Sequence, residues 1–282
     1  MKKLVFVFFI FSILISSLFA QSESDFRVTF VSGGVSIRSY SGSQLNVIIP
    51  DTIQHLPVRE IGREAFKSSN ITSIVIPEGV TAIRDSAFAD CSQLSSVTLP
   101  GTLETIGEAA FSRCTSLASI TFPGSLTSIG SNAFSFCSSL TTITFPGSLA
   151  HIGIGTFQES GITAVNWPAR VTQISSRMFF NCKNLQSVTI PEGITLIGSY
   201  AFSGCTALRS ITLPRSISRI NEGSFNSSSS LTTVTIPSQV RSINFSEQEE
   251  LPHIVVTRSF VGTSLNAASQ RSLRRVGYTG EF

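Results

Sequence analysis

The chain has 282 residues, 41% of them apolar, which is enough for a sizeable core and incompatible with disorder as its main state. Only 13% are charged, against roughly a quarter in an average soluble domain, so Ser and Thr must carry much of the surface. The formal charge of +3 includes Lys2 and Lys3; without them 18 basic side chains face 17 acidic ones, which excludes an electrostatic case for nucleic acid or an anionic membrane.

Residues 1–20 read as a secretory signal peptide. Met1, Lys2 and Lys3 give a basic start, Leu4 to Ile15 is apolar apart from Ser12, and Ala20 offers a small residue before Gln21. Leu18 is bulkier than the residue usual at its place. The apolar run is shorter than the roughly 20 residues a membrane span needs, and no stop-transfer cluster follows it. No Cys precedes position 91, so a lipid-bearing N-terminal cysteine is not available. The expected location is therefore outside the cytoplasm: periplasmic, at the cell surface or secreted. Residues 21–45 follow as an N-terminal cap, a hairpin built from the alternating Phe26 to Val31 and a Gly33-Gly34 turn.

A 23-residue repeat then takes over. Leu or Ile recurs at Ile71, Leu94, Leu117, Leu140, Ile162, Leu185, Leu208 and Leu231, always 23 apart except for one step of 22 after Leu140. Behind each comes the same string, for example Leu94, Val97, Leu99, Pro100, Leu103, Ile106, Gly107, Ala110, Phe111 and Cys114. The opening apolar residues alternate as a strand does, and the proline cannot donate to a ladder, so each coil must turn there. A second apolar pair follows, such as Leu126 and Ile129, then Ala133-Phe134. One unit has no second face on which to bury these groups. Stacked units do, with strands about 4.8 Å apart in a parallel ladder and the Phe of each coil resting on the next. Phe122, Phe145 and Trp167 share the place before proline and are read as a core ladder, not a binding platform. After Ile243 the repeat stops. Residues 244–282 are expected to form a C-terminal cap, with an extended stretch from Pro252 to Val261. A short helix over Ser264 to Val276 would bury Leu265, Ala268 and Leu273 and turn Arg271, Arg274 and Arg275 outward.

The string Leu-x-x-Ile-x-Ile-Pro-x-x-Val-x-x-Ile-Gly-x-x-Ala-Phe-x-x-Cys resembles the leucine-rich repeats of the BspA type, found in bacterial surface proteins and in some parasitic protists. It covers residues 46–243, about eight to nine units, beginning with Val47-Ile48-Ile49-Pro50, Pro57-Val58 and Ala65-Phe66. Ser69, Ser160 and Ser228 depart from it at the Cys place, and Thr156 at the Ala place. The resemblance implies a repeat solenoid, a right-handed leucine-rich repeat superhelix of β and irregular coil with its parallel ladder on the concave face. It also implies a binding role and carries no catalytic residue. In such repeats the Cys place is small, buried and bonded to the neighbouring loop. Cys91, Cys114, Cys137, Cys182 and Cys205 all hold it. Neighbours would have Cα atoms about 5 Å apart, within disulfide reach, yet parallel Cβ vectors do not converge. Free thiols are expected ahead of disulfides, and zinc is not expected, since a line is not a tetrahedron.

No catalytic constellation is visible. His55, His151 and His253 lie in different units, and there is no phosphate-cradling glycine loop and no Gly-x-Ser-x-Gly elbow. An enzyme would need a site in the caps, and no cofactor or metal is called for. The informative feature is the outward side of the strand. Two residues before each proline stand Val75, Thr98, Thr121, Thr144, Asn166, Thr189, Thr212 and Thr235; four before stand Ser73, Ser96, Ser119, Thr142, Ala164, Ser187, Ser210 and Thr233. Apart from Ser73, Val75 and Ala164, these are the candidate partner-binding residues. They form two uncharged columns, which Thr's preference for strands explains in part. A broad neutral face suits a protein or glycan partner recognised by shape. The expected function is an exported, non-enzymatic, adhesion-like binding protein for host matrix or cell surfaces. The alternative is a structural component of the cell envelope without a host ligand. A competing site is basic, from Arg209, Arg215, Arg219 and Arg241 in consecutive coils. Asn70, Asn226 and Asn244 begin glycosylation sequons.

Overall fold

The computed structural model describes residues 21–237, 240–243, 265 and 267–275. The signal segment, the stretch from Pro252 to Val261 and the sequon at Asn244 lie outside the described residues. Between the ends the chain winds as a β-solenoid of about nine turns, as the repeat predicts. The strands before each proline stack in parallel, like residue on like residue. Ile74 lies on Val97, Ile120 on Ile143, and Ile211 on Val234. Single bridges, Thr144 to Asn166 and Thr189 to Thr212, join the shorter pairs. A spacing of 23 residues brings each side chain back to the same place on the coil, so the register follows from the repeat length.

The apolar pair after each proline forms a second parallel ladder, which alternation could not reveal because its rungs are only two residues long. It runs through Ala82–Ile83, Thr105–Ile106, Ser128–Ile129 and His151–Ile152, and resumes in a separate sheet through Gln173–Ile174, Leu196–Ile197, Arg219–Ile220 and Ser242–Ile243. The Ala-Phe turns make a third line of contact. Phe88 N–H donates to the Ala110 carbonyl at 2.8 Å, Phe111 to Ala133 at 2.8 Å, and Phe179 to Ala201 at 2.8 Å. To aim these amides at the next coil, the residues flanking each turn take the left-handed backbone region. Ser86 and Asp90 do so with φ of 55° and 62°, Ala109 and Arg113 with 51° and 61°. Glycine fills the same places at Gly155, Gly204 and Gly223.

The core is a column of phenylalanines. From Phe66 through Phe88, Phe111, Phe134, Phe157, Phe179 and Phe202 to Phe225 the ring centroids lie 5.0–5.9 Å apart, with interplanar angles of 4–16°. Tyr40 and Phe26 extend it into the N-terminal hairpin. Phe122 and Phe145 stack beside it, at 6.2 Å and 4°. Trp167 does not continue that stack. It stands edge-on to Phe179 at 5.8 Å, as Phe122 and Phe145 stand tilted to Phe134 and Phe157, and it is half-buried against the core.

Both ends are closed. Strands β1 (Phe26–Val31) and β2 (Gly34–Tyr40) pair antiparallel, and β2 then pairs in parallel with Leu56–Ile61, so the hairpin supplies the first rung of the second ladder. Its turn needs glycine: Gly33 has φ 77°, and a Cβ on Gly34 would collide with the Pro57 carbonyl. At the other end α1 (Ala267–Arg275) packs on the last rung. Leu265 and Leu273 are buried and Arg271 and Arg274 exposed, but Ala268 faces solvent and Ser269 is buried in its stead. Ser269 is engaged there by a hydrogen bond: Ile243 N–H donates to Ser269 Oγ at 2.9 Å.

The five thiols are free and buried. Each donates to the Phe carbonyl of the preceding coil: Cys91 to Phe66, Cys114 to Phe88, Cys137 to Phe111, Cys182 to Phe157 and Cys205 to Phe179, at 2.9–3.2 Å. Ser228 makes the same bond to Phe202 at 2.7 Å. Burial pushes the thiol pKa up from its usual 9.0, to about 11 at Cys91 and Cys182 and about 12 at Cys137. Cys114 and Cys205 are raised as well.

Three outcomes are expected. Phe111→Ala costs about 3–5 kcal/mol in urea denaturation, since two neighbouring rings lose a contact; unfolding as difficult as in the wild type would show that Phe111 is not core. Ala109→Gly raises stability by about 0.5–1 kcal/mol, because glycine takes a positive φ without steric cost. The thiols favour the protonated native state, a contribution present in full below pH 9 and lost as pH rises through about 11. The melting temperature therefore falls over that window, and thiol titration of the unfolded, unreduced chain counts five.

Candidate functional site

The parallel register sets the predicted hydroxyls in true columns. Ser119 lies on Thr142 and Thr121 on Thr144, Ser73 on Ser96 and Val75 on Thr98, Ser210 on Thr233 and Thr212 on Thr235. Between them the inward residue is buried, as Ile120, Ile143, Ile211 and Val234 are. Ser96, Thr98, Ser119, Thr121, Thr142, Thr144, Asn166, Ser187, Thr189, Ser210 and Thr212 are exposed; Thr233 and Thr235 are half-buried near the C-terminal end. Ala164 and Asn166 interrupt the columns midway, in the coil that follows the 22-residue step.

Hydroxyls at two other places on the coil are engaged in several units. One place earlier on the strand, Ser95 Oγ donates to the Thr72 carbonyl, Thr163 to Thr141 and Thr232 to Arg209, at 3.1–3.2 Å. Just after the proline, Thr102, Ser125, Ser148 and Ser216 donate to carbonyls of the preceding coil at 2.6–2.8 Å. The candidate hydroxyls make no such bond among the described residues. They point outward, so their donors and acceptors are left to solvent or to a partner.

Toward the C-terminal end the face deepens into an open hollow of about 630 Å³. Ser187, Thr189, Ser210, Thr212 and Thr235 line it, together with Ile190, Leu213, Glu192 and Arg215. The face is therefore not wholly neutral, as the columns alone imply. Glu192 and Arg215 stand directly after Pro191 and Pro214; the first unit also carries an acid there, Glu78, and other coils carry Gly101, Gly124, Gly147 or Ala169. That contrast was visible in the sequence. Glu192 is held by the next coil, its carboxylate accepting Arg215 N–H at 3.0 Å and Ser216 N–H at 3.1 Å.

The basic residues divide between two sides of the coil: Arg209 adjoins the first ladder and Arg215 lies in the turn after it, whereas Arg219 is on the second ladder, where it pairs with Ser242, and Arg241 stands directly before that last strand. His55 sits in a turn near the first coil and His151 on the second ladder, while His253 lies outside the described residues. Among the described residues no group of three or more His, Cys, Asp or Glu is placed to hold a metal, and no helix is long and apolar enough to cross a membrane.

Residues 59–186 and 151–267 match the model of the BspA type leucine-rich repeat region, in six copies. Among solved structures, the T. pallidum leucine-rich repeat protein TpLRR is 26% identical with a TM-score of 0.63, over 93% of this chain and 98% of that one. A leucine-rich repeat protein from Bacteroides ovatus is 22% identical with a TM-score of 0.57, over 86% of this chain and 80% of its own. One from Eubacterium ventriosum is 21% identical with a TM-score of 0.59, over 79% and 69%. The last two establish likeness of fold. No curated protein matches the sequence.

Proposed function

The chain belongs to the BspA-type leucine-rich repeat family, and on that premise we propose that it is an exported, non-catalytic binding protein. It holds a protein or glycan partner on the hydroxyl columns of its first ladder. The observation that carries this reading is the division among the hydroxyls. Hydroxyls at two other places, as at Ser95, Ser125 and Ser148, stitch coil to coil, whereas those of Ser119, Thr121, Thr142 and Thr144 make no side-chain hydrogen bond within the described residues; in the same columns Ser73, in the first unit, bonds Asn46 Oδ1. Repeating donors and acceptors about 4.8 Å apart fit a partner whose own polar groups repeat, an extended peptide backbone or a glycan chain. Export is supported by the signal-like start, and the burial of all five thiols suits an oxidising compartment. Arg209 and Arg215 lie at the first ladder and its turn while Arg219 and Arg241 lie at the second, and this division argues against a single acidic partner held by all four charges.

The test is binding to immobilised host matrix proteins and to a glycan array. At least one member retains the wild type, with affinity nearly unchanged between about 50 and 200 mM salt. Thr121→Lys with Thr144→Lys abolishes that binding without moving the melting temperature, because both side chains are exposed. Lys183→Glu, at an exposed place off this face, changes nothing. Retention of the double variant, or no binding by the wild type, would sink the proposal. Protease treatment of intact cells separates a surface-exposed adhesin, which is cleaved, from an internal envelope component, which is not.

A further inference from the structure

The second ladder is interrupted once along the solenoid. One sheet ends at His151–Ile152 and the next begins at Gln173–Ile174, although the coils that carry them are adjacent. They remain joined on the other two sides. Thr163 N–H reaches the Thr141 carbonyl at 3.1 Å, Phe157 N–H reaches Met178 at 3.1 Å, and Cys182 Sγ reaches Phe157 at 3.0 Å. Several departures from the repeat coincide with the gap. The coil from Leu140 is one residue short, Trp167 stands in place of a phenyl ring, and Arg170 occupies the place where Thr102, Ser125, Ser148 and Ser216 carry the hydroxyl that bonds the preceding coil.

The gap is a hollow of about 520 Å³, within the range of roughly 300–1,000 Å³ that small-ligand sites occupy. Its lining brings together Arg170, His151, Gln173, Ser131, Thr172 and Ser175. No Asp or Glu lines it. Arg170, His151, Thr172 and Gln173 are exposed and so reachable from solvent. Ser175 Oγ donates to the Ile152 carbonyl at 2.6 Å and Ser131 Oγ accepts from Ile154 N–H at 3.2 Å, which fixes two of the walls. The hollow is closed along the ladder on both sides, since His151–Ile152 pairs with Ser128–Ile129 and Gln173–Ile174 with Leu196–Ile197. It therefore offers no groove for an extended peptide. It offers one cationic residue, Arg170, among neighbours that carry hydroxyl, amide and imidazole groups.

We propose that this hollow binds a carboxylate-bearing monosaccharide, a sugar acid, with its carboxylate on Arg170 and its hydroxyls on His151, Gln173 and Thr172. Arg presents a planar fork that matches a carboxylate, and the neutral side chains around it match hydroxyls that both donate and accept. The site lies on the second ladder and does not depend on whether the hydroxyl columns of the first ladder have a partner.

The experiment is titration of the full chain with glucuronate, glucose and acetate, read by calorimetry and by backbone amide shifts in NMR. Glucuronate is expected to bind and to shift amides at 128–131, 150–153 and 170–175, with glucose and acetate each at least about tenfold weaker. Arg170→Ser restores the hydroxyl that other coils carry, so the fold holds, and it weakens glucuronate at least about tenfold. Gln173→Ala weakens glucuronate and leaves acetate unchanged. Absence of shifts up to roughly 50 mM glucuronate overturns the proposal. So do equal affinity for acetate, equal affinity for glucose, or wild-type affinity in Arg170→Ser.

Discussion

Everything in this molecule depends on one constraint: a coil of 23 residues cannot bury its own phenylalanine. Phe111 is covered from above and below by Phe88 and Phe134, and each of those by the next ring along. A buried phenyl contributes about 1.5–3 kcal/mol from area alone, and offset stacking of a pair adds about 0.5–1.5 kcal/mol. Half of every such contribution belongs to a neighbour, so stability is a property of adjacent coils and not of single ones. The rest of the coil serves that stack. The left-handed pair beside each Phe, such as Ala109 and Arg113, is a local conformational cost, offset by amides that then reach the next coil. The Cys three residues after the Phe donates to the carbonyl of the ring below.

Polar side chains divide along the same logic. A hydroxyl that points back along the axis finds a carbonyl of the preceding coil, as Ser125 and Ser148 do, and becomes part of the scaffold. A hydroxyl on the outward face of the strand, as at Thr121, finds none. A surface of low charge is thus assembled from one residue type with two roles, decided by its place on the coil. The outward places are free to vary, because a side-chain change at Thr121, unlike one at Phe111 or Cys114, removes no bond between coils.

Much of this was legible from residue spacing. The period, the proline turns, the phenylalanine column, the shared Cys place and the two hydroxyl columns follow from identities at fixed offsets, and the register of Ser119 on Thr142 follows from the length of 23. The second ladder was not legible, since pairs such as Ser128–Ile129 are too short to show alternation. Nor was the exchange of Ala268 for Ser269 at the last rung, because hydropathy gives no sign that Ile243 needs an acceptor. The hollow at Glu192 and Arg215 was half legible: the residues stood out after their prolines, but their nearness to Thr212 is a matter of three dimensions. The interruption beside Arg170 had its sign in the 22-residue step, whose effect on the second ladder depends on how the shortened coil closes.

The closing of the two ends carries a consequence for assembly. Most rungs of these ladders match the next in register, which is the geometry by which one β-structured molecule templates the growth of another into a fibril. In the interior that self-similarity is satisfied by the chain itself. At the last coil it would leave Ile243 N–H and a phenylalanine face open to the first coil of a second copy, a head-to-tail contact that repeats without closing. The Ser269 hydroxyl takes that amide and α1 covers the rung, while at the other end the antiparallel β1 replaces a parallel rung with one of the wrong polarity for propagation. The same repetition that makes the solenoid stable is also a template for head-to-tail growth, and two short segments that do not repeat stand where that growth would start.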